Sequence, residues 1–296
     1  MDKCKNVFRI CGNNFSKWKN SPRAFICLSL IIVFMYDTTA GTRALTAAQN
    51  MAVTPWLFPF ILSYPVNFCV IYLTLILLFC DAPFFDEQFP YLCMRAGRLI
   101  WTAGQILYIF AASFVFTILN YGFSLLFCLP NLAFSENWGR ILRMMSMPAS
   151  TNFTKLYLTG IMFDSAGSAN VMDTYTPIQA LLISLLLMWL AGVFLGLLMF
   201  VVNLKAHQGA GALASSFFVI FNFFAFAFSR GQGFKAPIIY YFSPISWVNL
   251  TQLQMGSNAR PPLSYALTMM SIIIIVLIGL SLKIMKRREI EVLPEI

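Results

Sequence analysis

Asp81, Asp86, Glu87, Arg95 and Arg98 share one stretch, CDAPFFDEQFPYLCMRAGRLIW (80–101), the only long charged interruption between two apolar runs. A helix carrying these groups across the mouth of a membrane bundle can receive force from another protein. Helices tend to end before a proline, so the preceding run stops near Cys80 or Asp81, ahead of Pro83. A short helix can restart at about residue 86, where Asp86 and Glu87 favour its positive N-terminal end. Arg95 and Arg98, three apart, then share a face. The plainer role for the same residues is a solvated loop with two snorkelling arginines.

Elsewhere the catalytic vocabulary is thin. There is no GxxxxGK[ST] run, so the chain has no P-loop for nucleotide phosphates. HExxH and GxSxG are absent, and no second histidine accompanies His207. A lone histidine in the connector LKAHQGAGAL suits a solvated loop, and argues against an intramembrane metalloprotease or a serine–histidine pair. Seven cysteines, an odd number with no CxxC pair, provide neither a disulfide framework nor a zinc site. Acids are missing from the centres of the apolar runs. Ion-coupled transporters place ionisable groups there, so energy for any active transport would come from outside this chain. No catalytic residue, metal site or cofactor is expected.

The elements that must position these residues are set by composition. Hydrophobic residues make up 59% and charged residues 10%, against about a quarter charged in soluble domains. The apolar residues come in long blocks, so the expectation is an all-α polytopic membrane protein, a single membrane domain over 1–296. Residues 1–23 are basic, and Val7, Phe8, Ile10, Cys11, Phe15 and Trp18 can form one stripe of a helix lying on the membrane. A first span begins near Ala24 and is short, because Asp37, Thr38 and Thr39 follow about a dozen apolar residues. A cleaved leader has a similar outline, but the long amphipathic start argues against it.

Five further spans are expected at 56–80, 101–129, 178–203, 213–228 and 265–282. The second is kinked by Pro59 and Pro65, the third anchored at the interface by Trp101. An excursion over 130–177 holds two short surface helices, with Asn131 and Asn152 as caps. Ahead of the last span, 237–248 is apolar but too short to cross and is broken by Pro244, which suits a re-entrant hairpin. Six spans put both termini on one side. Thirteen of the 20 Lys and Arg fall on that side: six before Ala24, Arg95 and Arg98, Lys205, and four from Lys283 to Arg288. The positive-inside rule then makes both termini cytoplasmic, and the net charge of +9 is a matter of topology, not of nucleic-acid binding.

With these features in order, the chain resembles the permease subunits of type 2 ABC transporters, the exporter kind found in Gram-positive bacteria. The resemblance covers nearly the whole length. It rests on the basic amphipathic start, on LLFCDAPF followed by MRAGRLIWTAGQILYI, and on FSPISWVNL ahead of a last span with a basic tail. The short first span and the long 130–177 excursion depart from the family plan. What it implies is an export permease that pairs with itself or a relative in the cell membrane and is driven by separate ATP-binding subunits. The segment 81–100 would carry the coupling helix, with Asp86, Glu87, Arg95 and Arg98 toward the ATPase or lipid phosphates. Lys205 and His207 would make a second, smaller contact. Pro237, Pro244 and Trp247 would belong to a re-entrant hairpin capping the outer end. A six-span scaffold or sensor that transports nothing is the alternative.

Overall fold

The computed structural model describes residues 2–80, 93, 96–146, 165–207, 209–231, 233–253 and 260–287. Among them the chain is helical, and the only β-type pairing is an isolated bridge between Val53 and Leu132. Five helices are long and apolar enough to cross a membrane, or six if one bent pair counts as a single crossing. This is a polytopic helical membrane protein.

The N-terminal helix α1 (Asp2–Ser16) leads through a 3-10 turn into α2 (Pro22–Gln49). Contrary to the expected short first span, α2 continues well past Asp37. Three of its threonines satisfy themselves: the hydroxyls of Thr38, Thr39 and Thr46 donate to the carbonyls of Phe34, Met35 and Arg43 at 2.7–2.8 Å. Polar residues treated this way can stay helical and be buried, as these three are. Asn50, in the left-handed region at φ 51°, ends the helix.

The chain then turns through Pro55–Leu57 into α3 (Phe58–Ile61) and descends as α4 (Pro65–Phe79). The expected kink is a bend of 93°, sharp enough to make two separate segments. Its freed backbone groups find protein partners: Asn67 donates to the Ile61 carbonyl at 2.8 Å and Asn249 to the Ser63 carbonyl at 2.9 Å. Helix α5 (Arg98–Cys128) returns to the far end. There α6 (Arg140–Ser146) and α7 (Ser165–Thr174) pack on each other, joined by the Trp138 indole, which donates to the Met172 and Tyr175 carbonyls. Asn131 is not a helix cap; its amide donates to Thr46 Oγ1 at 3.1 Å. Asn152 lies outside the described residues.

Helix α8 (Pro177–Lys205) is the axis of the bundle. A capping box starts it, with Thr176 and Gln179 exchanging side-chain and backbone bonds. Of its most apolar window 67% is buried, against 22–39% for the other long helices, so the bundle is built around it. Gly192 and Gly196 present a small face, with Leu75, Phe79, Ile109 and Ser113 of α4 and α5 at the positions side chains would need. Helices α9 (Ala210–Gly231) and α10 (Leu263–Arg287) flank it. Apolar side chains such as Phe217, Phe224, Ile272 and Ile275 are exposed on their outer faces, as a lipid solvent requires.

Candidate functional site

The bundle has two distinct ends. The near end carries α1, the start of α5, the α8–α9 connection and the end of α10. The far end carries the bent pair, α6, α7 and residues 233–253 and 260–262.

At the near end, α1 is not merely a surface helix. Ile10 lies over Gly104 of α5, so close that a Cβ on that glycine would meet it at 2.7 Å. Beside it, buried Asn14 donates to buried Gln105 Oε1 at 2.7 Å. One turn on, the Trp18 indole donates to the Tyr108 hydroxyl at 2.7 Å, with Phe15 edge-on to the same tyrosine ring. The apolar stripe expected for α1 therefore divides: Ile10 and Cys11 face protein, whereas Phe8 stays 67% exposed. The polar member of the seam, Asn14, escaped the sequence reading. The signal was its spacing, four residues from both Ile10 and Trp18.

Of the expected coupling residues, Asp86, Glu87 and Arg95 lie outside the described residues. Arg98 is half-buried at the first position of α5. Cys93, just before it, is buried; burial pushes its thiol up to about 11, with Arg98 pulling the other way. Trp101 is not an interfacial anchor: it is 1% exposed and packs against Phe200 of α8. Its ring makes the start of α5 part of the core.

The α8–α9 connection is tight at its base and open at its tip. Asn203 Oδ1 accepts from the Gly211 N–H at 2.7 Å, satisfying one of the orphan donors in the first turn of α9. A Cβ at Gly211 would lie 2.5 Å from the Met199 carbonyl oxygen, so only glycine fits there. Lys205 and His207 stand exposed at the tip.

The far end is closed by three successive 3-10 segments, Gly233–Phe242, Pro244–Val248 and Leu250–Gln252. Pro237 falls in the first, with its side chain outside the described ones. Pro244 is buried and starts the second. Trp247 is 2% exposed; its indole donates to the Tyr240 carbonyl at 2.7 Å and its ring stands edge-on to Tyr265 of α10. Ser246 donates to Asn222 of α9 at 2.7 Å, and Arg260 donates to the Thr251 carbonyl. Irregular backbone inside a membrane bundle needs such partners.

Among the described residues, the buried polar side chains are all neutral Asn, Gln, Ser and Thr. No group of three His, Cys, Asp or Glu there could hold a metal ion. No family model, curated protein or solved structure matches this chain.

Proposed function

We propose that this chain is the permease subunit of an ABC-type exporter, forming a pathway with a second permease and driven by separate ATP-binding subunits. The observation that supports this reading is the segregation of the two ends. The approach to Arg98 and the Lys205–His207 tip, the two segments that would meet an ATPase, fall at the same end as α1. The opposite end is closed by buried 3-10 turns. On this reading the near end is cytoplasmic, the chain sits in the cell membrane, and 237–248 is the re-entrant hairpin over the outer mouth. Coupling falls to Asp86, Glu87, Arg95 and Arg98, with Lys205 and His207 as the smaller contact. Among the described residues no charged side chain is buried, which suits a bundle whose energy comes from a partner's ATP hydrolysis.

The test is hydrolysis. The purified chain alone turns over no ATP, and activity appears only when a co-expressed ATP-binding subunit co-purifies with it. Nucleotide-specific hydrolysis by the chain alone would contradict the proposal.

A further inference from the structure

An apolar groove of about 810 Å³ runs along α5 from Ala103 to Phe114. Val7 and Phe8 of α1 form one wall, and Ile278 and Leu282 of α10 the other. Trp189 of α8 closes the deep end; its indole donates to the Phe110 carbonyl at 2.9 Å, and the rings of Phe110 and Phe114 stand edge-on to it. At about 1.5 Å per residue the groove is roughly 16 Å long, about half the hydrocarbon thickness of a bilayer and hence the depth of one leaflet.

Its near end is basic. Ile278, Leu282 and Lys286 follow one another at four-residue intervals, so Lys286 continues the α10 wall out of the groove. On α1, Lys3 stands four residues before Val7 and Lys5 three before Phe8. All three lysines are exposed, and none of the described residues lining the groove is acidic.

We propose that this groove is a binding site for an anionic phospholipid. One acyl chain lies along α5 against Phe8, Leu107 and Phe110, and the phosphate sits among Lys3, Lys5 and Lys286. An ordinary lipid-facing surface gives an acyl chain contact on one side. Here the chain is walled on both sides, with cations at the level of the headgroup, the pattern by which basic pockets between membrane helices select anionic lipids. The inference is independent of whether the protein transports anything.

The experiment is native mass spectrometry of the full chain released from bilayers of phosphatidylcholine with a minor fraction of phosphatidylglycerol. Wild type retains phosphatidylglycerol enriched at least tenfold over its share of the bilayer. The triple variant Lys3→Glu, Lys5→Glu, Lys286→Glu loses that enrichment, since each surface lysine contributes several-fold to anionic-lipid affinity. Ala111→Phe, which fills the groove and leaves the charges in place, loses retained lipid of both kinds. Arg140→Glu with Arg143→Glu, a charge reversal at the far end, changes nothing. Each variant is first shown to be monodisperse with wild-type helix content. Undiminished enrichment in the triple variant, or undiminished retention in a folded Ala111→Phe chain, overturns the proposal. So does a lipid-free wild-type dimer that the groove variants split, which would assign the groove to a second copy of the chain.

Discussion

The two ends of this bundle both expose charge, Arg140 and Arg143 at one and Lys205, Lys283 and Lys286 at the other, but use their inward polar groups differently. At the far end polar side chains turn inward and are used up on backbone: Asn249 on the Ser63 carbonyl, Arg260 on that of Thr251, and Trp247 on that of Tyr240. At the near end the neutral amides Asn14 and Asn203 hold the elements underneath the exposed lysines. The first arrangement makes a fixed closure, because every bond broken there would leave an amide unpaired in an apolar setting. The second makes a surface still able to take a partner, resting on a rigid base.

The sharpest way to break the comparison is at that base. Gly211→Val places side-chain atoms on the Met199 carbonyl and removes the Asn203 bond, for a cost of about 3–5 kcal/mol. The expected result is a large drop in the thermal midpoint in detergent, with the α8–α9 connection becoming sensitive to protease. A near-wild-type midpoint would mean that the tip does not depend on its base.

At the far end, Asn249→Ala exposes the Ser63 carbonyl of the bend and also removes the cap on Thr251. The expected loss is about 1–3 kcal/mol. Accelerated hydrogen exchange confined to residues 61–67 and 244–253 is the corresponding readout; exchange spread evenly through the bundle would show that this end is not a separate closure.

A smaller effect is expected at the α1–α5 seam. Asn14→Leu or Gln105→Leu alone strands a buried amide and costs about 1–3 kcal/mol, while the double variant recovers most of the loss. Additive losses would mean that the two amides do not act as a pair.

The contrast between the ends was only partly legible in the sequence. The long apolar blocks pointed to the helical bundle, and Pro65 and Pro244 marked the bend and the start of a 3-10 segment, because proline acts locally on its own backbone. The polar stretch at Thr38–Thr46 hid the length of α2, since hydroxyls that bond back within the helix look hydrophilic in composition yet behave as buried residues. Trp101 was expected at the interface because tryptophan favours it; in the fold it fills the space beside Phe200. Asn14 and Gln105 are 91 residues apart, and nothing local in either segment announces the other. Of the expected coupling segment 81–100, Asp86, Glu87 and Arg95 lie outside the described residues, and the described part, Cys93 and residues 96–100, leads into α5 at the end where Lys205 and His207 are exposed.

That position is what the decisive measurement addresses. The chain is co-expressed with an ATP-binding subunit and captured through its own C-terminal tag. Wild type is compared with Arg95→Glu plus Arg98→Glu, and with Arg140→Glu plus Arg143→Glu on exposed positions of α6 at the far end. Charge-assisted contacts in a partly dry interface contribute about 1.5–3 kcal/mol each, and exposed pairs at most about 1 kcal/mol. The account predicts that the near-end pair loses most of the bound ATPase while the chain still inserts in the membrane, and that the far-end pair keeps it. Equal retention of the ATPase by both double variants, with transport unimpaired, would contradict the coupling role assigned to the near end.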